Sequence, residues 1–440
     1  MSVANDSLAP RSISATRRLE PQSFEPFRFA DLRQPYAAYR ALRDHAPVHY
    51  APEAGVYCIS RFDDVHSVLQ DDERFSSRAM FTVLMANGND GPPPLTPTTL
   101  AFMLRMVLRA RMNPLTFATA RTLIAEDGES HSQLRSIVNR GFTPRRIAAW
   151  EARARDIANG CVEKLRRGEP FDVMRDLAAP VPLTIIAEML GVEPDRHEDF
   201  KRWSTAFVAN ITGPGRATPF SRPWQESMIE LINYLRGIAR QRRATPRDDL
   251  ISAIVSEQEG RLGLSDREVV QFAILLLVAG NETTTNLIGN AVTALFDHPD
   301  VLARVAADPS LIPQVVEETL RYDGPIQMLF RTATEDVEIA GTRIPKGAVV
   351  APLLGSANRD ERRFPDPDRF DPDRDVRAHV GFGFGKHFCL GSSLARLEAR
   401  IALTAIVPDL VHFERTFPSP ELVESFLVRG PEKIELRAFR

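Results

Sequence analysis

Apolar residues recur along most of the chain at spacings of three and four, which is the period of an amphipathic helix. The clearest case runs from Ser265 to His298, where Ser265 and Glu268 form an S-x-x-E capping box and Pro299 follows the end. At 1.5 Å per residue this helix would be about 50 Å long, enough to cross a whole domain. Further helices are predicted at Pro35–Asp44, Leu100–Met112, His131–Gly141, Arg145–Arg166, Val181–Leu190, Trp224–Arg243, Gln314–Tyr322 and Leu390–Val407.

Strand patterns are short and scattered between these helices. No internal repeat and no regular alternation of strands with helices is present. The predicted fold class is therefore mainly α with small β-sheets. The proline-rich stretches Asn87–Thr99 and Phe364–Asp375 are predicted to be ordered loops. Strands are predicted at Val48–Tyr50, Val56–Ser60, Phe330–Ala333, Ala348–Pro352 and Lys433–Arg437.

Composition narrows the class of protein. Hydrophobic residues make up 43% of the 440 positions and charged residues 26%, with a net charge of -3, so nothing indicates a nucleic-acid partner. The cysteines Cys58, Cys161 and Cys389 are far apart, which disfavours disulfides and zinc ribbons and fits a cytoplasmic location. The first 22 residues are expected to be a flexible tail without a signal peptide. The longest apolar run, Phe272–Ala279, is too short for a transmembrane anchor.

A cluster of glycines, GFGFGKHFCLG, occupies Gly381–Gly391 and raises the question of a phosphate site. A phosphate-binding P-loop would need glycine where Val380 stands and serine or threonine where His387 stands. The dinucleotide pattern G-x-G-x-x-G fails as well, since Lys386 and Phe388 fall at its third glycine. Phosphate binding is therefore disfavoured.

Cys389 stands just before a predicted helix, whose positive end and free N–H groups favour a thiolate. The preceding glycines let the backbone approach a flat, bulky group, and Phe382 and Phe384 would line that approach. A lone thiolate without a second nearby ligand suits a haem iron with one axial cysteine. The alternative is a buried, inert cysteine in a glycine turn.

The stretch Phe382–Gly391 resembles the cysteine-ligand loop of the cytochrome P450s. Three further stretches match motifs of that family in the family's order. AGNETTT at Ala279–Thr285 matches A-G-x-[DE]-T, EETLR holds the E-x-x-R pattern, and HSQLR holds H-x-x-x-R. The resemblance runs from about Tyr39 to the C-terminus.

The resemblance implies a single haem-wrapping domain over residues 23–440 that binds haem b. Cys389 would be the axial iron ligand, with Phe382, Gly383 and Gly391 beside the haem. The propionates would be held by His131, Arg135, Arg331 and His387. Glu318 and Arg321 would form a structural network with Arg369. Taken alone, Glu318 and Arg321 would more often be a surface pair.

The implied activity is that of a haem-thiolate monooxygenase, which inserts one oxygen atom from O2 into a C–H bond. Glu282 and Thr283 would relay protons, unless the helix ended near Asn281 and left the threonines in a loop. The segment Phe75–His131 holds five of the ten methionines and would roof the pocket, which suggests a lipophilic substrate. Steroid, terpenoid, fatty acid and polyketide remain open. Substrate contacts are expected at Leu276, Ala279, Gly280, Gln327, Leu329 and Phe426.

The two electrons would come from a separate ferredoxin and its reductase, because the chain has no flavin fingerprint and no ferredoxin-like cysteine cluster. Arg135, Arg140, Arg396 and Arg400 are candidates for a basic docking face, although each could equally be a solvated surface charge. A peroxygenase or isomerase is a second reading, and a non-enzymatic haem gas sensor is a third. The acid–alcohol pair favours the monooxygenase.

Overall fold

The computed structural model describes residues 23–80, 83, 96–111, 113, 121–212, 222–256 and 263–439, and the side chains of all these except 207–212. The predicted tail at 1–22 and most of Asn87–Thr99 lie outside the described residues. Helices predominate and the sheets are small, so the predicted fold class is confirmed. In the described part of the chain, no helix combines the length and the apolar character needed to span a membrane.

A helix is found at every predicted position, and most bounds agree within three residues. Helices that were not predicted lie at Phe29–Leu32, Phe62–Gln70, His197–Thr212, Leu250–Val255, Pro299–Ala307 and Leu354–Ala357. In chain order the helices are α1 (Phe29–Leu32), α2 (Tyr36–His45), α3 (Phe62–Gln70), α4 (Pro97–Ala110), α5 (Gly128–Val138), α6 (Pro144–Ala149), α7 (Glu151–Arg166), α8 (Pro180–Met189), α9 (His197–Thr212), α10 (Arg222–Ala244), α11 (Leu250–Val255), α12 (Asp266–Asp297), α13 (Pro299–Ala307), α14 (Ile312–Tyr322), α15 (Leu354–Ala357) and α16 (Ser392–Leu410).

The strands form three small sheets. The largest has the order β1-β2-β8-β5-β3, with β2 and β8 parallel and the other neighbours antiparallel. The second has the order β4-β10-β9, and β6 pairs with β7 in a hairpin. The strands are β1 (Val48–Ala51), β2 (Val56–Ile59), β3 (Phe75–Ser76), β4 (Phe171–Asp172), β5 (Arg331–Ala333), β6 (Val337–Ile339), β7 (Thr342–Ile344), β8 (Val349–Pro352), β9 (Phe413–Arg415) and β10 (Glu435–Ala438).

The long helix α12 lies at the centre of the molecule. Its capping box is formed as predicted, with the Ser265 hydroxyl accepting from the Glu268 amide and the Glu268 carboxylate accepting from the Ser265 amide. Up to Leu277 the helix packs into an apolar cluster with α4, α5, α8, α9, α10 and α11. From Leu287 onward it packs into a second cluster with α6, α7, α8, α13, α14 and α16. The AGNETTT stretch lies between the two clusters, where polar side chains interrupt the apolar packing.

The prediction of one helix over Arg145–Arg166 is wrong. Thr143 caps α6 through its side chain, and the Trp150 amide donates to the Ile147 carbonyl at 3.0 Å. This i→i−3 bond tightens the turn, so the chain leaves α6 and begins α7 at Glu151.

The predicted strand Lys433–Arg437 is displaced, since β10 covers Glu435–Ala438. Phe426, which was expected in the last sheet, lies in a bend before that strand. Its ring packs edge-on against Phe27 at 5.1 Å between ring centroids, so Phe426 belongs to the apolar cluster that packs against the N-terminal helices.

Candidate functional site

The loop that carries Cys389 is closed by its own backbone. The Cys389 amide donates to the Phe382 carbonyl at 3.0 Å, and the Gly383 amide donates to the Val380 carbonyl at 2.8 Å. The predicted helix start at Leu390 is wrong by two residues, because α16 begins at Ser392 with Gly391 as its N-cap. Cys389 therefore stands just outside the helix, where the amides of Gly391 and Ser392 stabilise the charged form of its sulfur. The Ser392 amide also donates to the Cys389 carbonyl at 3.4 Å.

The surroundings of the Cys389 thiol are mixed. Burial raises its pKa, while the backbone N–H groups of Gly391 and Ser392 and the charges of Arg135 and Arg396 oppose that rise. Burial thus disfavours the thiolate, yet donors that stabilise a thiolate are already in place. These features suit a sulfur that releases its proton to solvent when it binds a metal ion.

Two glycines of this loop are required by close backbone contacts. A Cβ added at Gly381 would lie 2.9 Å from the Leu320 carbonyl oxygen of α14. A Cβ added at Gly385 would lie 2.7 Å from the Leu69 carbonyl oxygen of α3, and Gly385 has a φ of +72°. The loop is thus wedged between two helices, and this contact fixes the direction in which the cysteine points.

The four predicted propionate residues supply hydrogen-bond donors, and some of these donors have no partner in the described structure. The ring centroids of His131 and His387 lie 4.1 Å apart, and the buried Nε2 atom of His131 has no hydrogen-bond partner among the described residues. The buried Nε2 atom of His387 lies 3.7 Å from the Asp127 carboxylate, which is ion-pair distance but too long for a hydrogen bond. Arg135, one turn after His131 on α5, donates to the Lys386 carbonyl at 3.4 Å. Burial and then the nearby charges of His387 and Arg135 lower the pKa of His131 to about 4.

Arg331 begins β5 and is 4% exposed. Burial lowers its pKa to about 10, partly offset by the charges of Asp127 and Asp72. The guanidinium donates to the Phe330 carbonyl, and no ion pair of Arg331 exists among the described residues. Unpaired buried cations and imidazoles are costly, so a ligand with two carboxylates fits this cluster, and the haem predicted from the sequence has two.

Asp127 belongs to the same cluster and was missed from the sequence. It occupies the N-cap of α5, but its carboxylate accepts from the Ser76 hydroxyl and the Ser77 amide instead of capping the helix. Burial disfavours its charge, yet the His387 ring 3.7 Å away and the hydrogen bonds from the two serines lower the pKa of Asp127 to about 2. An aspartate directly before the helix that carries His131 is the sequence signal that could have identified this residue.

The polar stretch of α12 is helical throughout, so the alternative in which the helix ends near Asn281 is wrong. The Thr283 hydroxyl donates to the Ala279 carbonyl at 2.6 Å, which leaves its lone pairs available as acceptors. Burial raises the pKa of Glu282, and a hydrogen bond from the Asn286 amide at 3.2 Å partly offsets the rise. Ala279 is exposed in the middle of the helix, which indicates that an open space borders this face.

Gly280 lies close to a side chain of α8. A Cβ at this position would lie 2.9 Å from the Ile186 Cδ1 atom of α8. The Ile186 side chain therefore packs against this position, and a small shift of its terminal methyl group would accommodate a Cβ. The expected substrate contact at Gly280 stays a prediction.

Glu398 is a second residue that was not identified from the sequence. It lies on α16, is 1% exposed, and has one carboxyl oxygen without a partner in the described structure. Burial raises its pKa well above the usual range, and a hydrogen bond with Thr284 partly offsets the rise. Glu398 lies four residues after Leu394 and four before Ala402, so it falls on the buried face of the helix. An acidic residue on an apolar helix face is the sequence signal that could have identified it.

The Glu318–Arg321 pair is buried, not a surface pair. The Nε and Nη2 atoms of Arg321 each donate to one oxygen of the Glu318 carboxylate at 2.7 Å. The Glu318 side chain is 1% exposed and the Arg321 side chain 0%. The prediction that the Arg369 side chain completes the network is wrong, because that side chain is 72% exposed and only its carbonyl accepts from Arg321. Arg374 takes the place instead, with its Nε atom 3.5 Å from the Glu318 carboxylate.

The expected substrate residues do not all come together. Leu276 lies on α12, and Leu329 lies next to the cysteine loop, 3.7 Å from a Cβ added at Gly383. Gln327 and Phe426 line a separate small cavity with Phe29, Leu32, Leu422, Val423, Ser425, Val428 and Arg429, and no α12 residue lines it among those described. The Gln327 amide donates to the Gly324 carbonyl at 2.8 Å.

The arginines expected on the docking face are mostly engaged within the chain. Arg396 binds Glu317 at 2.6 Å and lies over the Phe382 ring at 4.5 Å, while Arg400 pairs with Glu151 at 3.3 Å. Arg140 donates to the Ser256 carbonyl at 3.2 Å. A groove of about 610 Å³ opens beside them, with acidic as well as basic side chains in its walls. The face is therefore mixed in charge.

Comparison with known proteins agrees with this geometry. The family model described as Cytochrome P450 matches residues 108–437. The chain is 37% identical over 405 residues to the Vitamin D(3) 25-hydroxylase of Pseudonocardia autotrophica, a match that covers 90% of this chain and 92% of that protein.

Two solved structures show the same fold. Cytochrome P450 CYP109Q5 from Chondromyces apiculatus matches with a TM-score of 0.80 and 39% identity, over 95% of this chain and 98% of that one. CYP109E1 from Bacillus megaterium in complex with testosterone matches with a TM-score of 0.77 and 33% identity, over 92% of this chain and 100% of that one. The chain therefore belongs to the cytochrome P450 family, and it is a haem-containing monooxygenase.

Proposed function

We propose that the sulfur of Cys389 binds the haem iron and that a lipophilic substrate is hydroxylated beside the polar stretch of α12. The observation that carries the proposal is the Cys389 thiol, held outside the start of α16 and faced by two backbone N–H groups. When bound, the haem activates O2 with two electrons supplied from outside and transfers one oxygen atom to a C–H bond.

The propionates are assigned to His131, Arg135, Arg331 and His387. The support is the buried Nε2 atom of His131 without a hydrogen-bond partner, the His387 ring beside it, and the buried guanidinium of Arg331, which lacks a described carboxylate partner. Phe382, Gly383 and Gly391 are assigned to the surface that faces the haem. A Cβ added at Gly391 would meet no atom within 4 Å, so open space lies beside it.

Glu282 and Thr283 are assigned to proton delivery. Burial raises the pKa of Glu282, which keeps its carboxyl closer to protonation at neutral pH than an exposed glutamate. Since the Thr283 hydroxyl donates its hydrogen to Ala279, its oxygen can accept a hydrogen bond and hold a water molecule or the reacting group in place. Both groups lie on one turn of a helix fixed at its two ends by apolar packing.

Replacing Thr283 by alanine is expected to uncouple electron use from hydroxylation. The yield of product per electron pair should fall roughly tenfold while electron consumption continues, because the acceptor that positions the proton donor is lost. Thr285→Ala is the matched control, since the Thr285 hydroxyl donates to the Ala178 carbonyl on the other side of the helix. Equal coupling in the two variants would contradict the assignment of Thr283.

A steroid-like compound is the proposed substrate class. The support comes from the relatives, one named for hydroxylation of vitamin D(3) and one solved in complex with testosterone. Leu276 and Leu329 are apolar side chains suited to such a skeleton. Gln327 and Phe426 are left out of the contact set, because they line a separate cavity.

The electrons are proposed to come from a ferredoxin, itself reduced by a ferredoxin reductase. The groove beside Arg396 and Arg400 is the proposed docking surface, because it borders the helix that follows Cys389. Its mixed charge predicts a partner whose surface also carries both signs. A cytoplasmic location is part of the proposal, and the three free cysteines support it.

The proposed function is tested by titrating the haem-loaded protein with steroids, terpenoids, fatty acids and macrolides. We expect a shift of the absorption spectrum from low spin to high spin with steroids, as the substrate displaces water from the iron. Compounds that cause the shift are then incubated with ferredoxin, reductase and NADPH, or with hydrogen peroxide alone. A hydroxylated product is expected in the first mixture.

Other outcomes would change the proposal in specific ways. A shift with a different compound class would replace the substrate class and leave the reaction intact. Faster turnover with hydrogen peroxide than with the electron donors would favour a peroxygenase. Binding without any product in either mixture would favour a haem gas sensor.

A further inference from the structure

Helix α4 has a buried side that ties it to the rest of the molecule. It packs along α10, with Met106 2% exposed and Ala110 fully buried. Met106 belongs to the same apolar cluster as Leu276 of α12. The Arg105 guanidinium donates to the Gln225 side chain of α10 at 2.7 Å. These contacts fix which side of the helix faces outward.

The outward side of α4 is also apolar. Leu104 and Leu108 are 58% and 67% exposed, which is high for leucine in a folded chain. The exposed residues are spaced at i, i+4, i+7 and i+8, so they form one continuous stripe along the helix. Isolated exposed leucines are ordinary, but a contiguous stripe of this kind marks an interaction surface. The outer stripe consists of Leu100, Leu104, Val107 and Leu108.

The charge beside the outer stripe has one sign. Arg109 and Arg111 are exposed, and neither has a carboxylate partner in the part of the chain that the structure describes. Between Asp90 and Glu126 the sequence contains four arginines and no acidic residue. On α10 a further cation lies beside Arg111, since the Arg236 guanidinium is 3.5 Å from the Arg111 carbonyl oxygen. The outer stripe is therefore bordered by uncompensated positive charge.

We propose that the outer stripe of α4 docks on an anionic lipid surface, with its leucines in the headgroup–acyl boundary and Arg109 and Arg111 on lipid phosphates. An apolar helix face with arginines at its edge has the composition of an interfacial helix, which lies in the plane of the membrane without crossing it. A second copy of the chain fits less well, because a symmetric dimer through this face would bring the arginines of both copies together.

This inference does not depend on the reaction, but it has a consequence for it. Lipophilic compounds concentrate in membranes, and α4 joins the lipid-facing stripe to the cluster that contains Leu276. Docking would place the protein at the membrane, from which such a substrate would be taken up.

The test is flotation of the full-length, haem-loaded protein with lipid vesicles. One set of vesicles is phosphatidylcholine, and the other contains about one third phosphatidylglycerol. We expect at least about tenfold more protein to float with the anionic vesicles, and we expect salt to reduce the difference. Leu104→Ser/Leu108→Ser should lose binding to both vesicle types. Arg109→Gln/Arg111→Gln should bind the two types equally.

The control removes exposed apolar side chains elsewhere. Phe417 and Phe439 are 62% and 58% exposed near β9 and β10, and Phe417→Ser/Phe439→Ser should float like the unmodified protein. Haem content and circular dichroism confirm that each variant is folded. Absence of flotation, or flotation unchanged by the α4 variants, would overturn the proposal. A dimer in solution that only Leu104→Ser/Leu108→Ser dissociates, without vesicle binding, would assign the stripe to a second copy.

Discussion

Cys389→Ser is expected to abolish coupled hydroxylation. A serine hydroxyl at this position cannot supply a soft thiolate to iron, although the same two N–H groups would still face it. We expect turnover to fall by on the order of 10³-fold, which corresponds to about 4 kcal/mol of activation free energy. The carbon monoxide complex of the reduced protein should also lose the absorption band that a thiolate-bound haem gives.

Cys161→Ser is the matched control for this prediction. Cys161 is half-buried on α7, where burial raises its pKa to about 11, and none of the residues proposed to hold the haem or deliver protons lies on that helix. Turnover and spectrum should both be retained. If Cys389→Ser kept the thiolate band, the axial ligand would have to be another residue, and the assignment of the whole loop would fail.

Arg321→Met is expected to destabilise the fold more than any other single substitution considered above. It would remove the two Arg321 hydrogen bonds from the buried Glu318 carboxylate and leave the carbonyls of Asn358 and Pro367 without a donor. The Arg369 carbonyl would keep only its bond from Arg374. Breaking a buried ion pair from one side costs about 3–5 kcal/mol. The measurement is the free energy of unfolding in urea, followed by circular dichroism, together with the amount of haem that the purified protein retains.

Arg369 and Arg374 provide a graded comparison. Arg369→Met removes an exposed side chain and should change the free energy of unfolding by less than about 0.5 kcal/mol. Arg374→Met removes a largely buried partner of Glu318 and should have an intermediate effect. If Arg321→Met gave no folded protein, Arg369→Met and Arg374→Met would still test which arginine completes the Glu318 network. A larger loss of stability for Arg369→Met than for Arg374→Met would contradict the observed geometry.

The error at Arg369 has a simple physical cause. The resemblance pointed to an arginine in the stretch PDRF (residues 367–370), and the direction of a side chain within an irregular proline-rich loop cannot be read from spacing. In the structure the Arg369 carbonyl turns inward and its side chain turns outward, while Arg374, five residues later, reaches back to Glu318. The resemblance implied that an arginine was needed but did not determine which turn of the loop would supply it.

The helices were predictable because their signals are local. The capping box at Ser265 fixed the start of α12, and the apolar period that resumes at Leu287 carried the helix through the threonines. Strands pair with partners that are distant in the sequence, so fewer of them were predicted. The hairpin of β6 and β7 was missed, since its turn places Ala340 at a φ of +47°, a conformation that alanine rarely adopts.

The site was predictable in part. Motifs with fixed spacing led to the proposed roles of Cys389, His131 and Thr283, whereas Asp127 and Glu398 match no such motif, and their local signals did not indicate which groups they would meet. The expected role of Gly280 stays a prediction, because a Cβ there would meet only the end of the Ile186 side chain.

The glycines of the cysteine loop bear on laboratory evolution of this enzyme. Because Gly381 and Gly385 each face a carbonyl oxygen of a different helix, any side chain there would have to push α14 or α3 away from the loop. In a random mutant library, almost no amino-acid change at these two positions should give a folded enzyme, so a designed library should leave them unchanged. Leu276 and Leu329 carry no such backbone constraint, so they are the positions at which a library can explore new substrates.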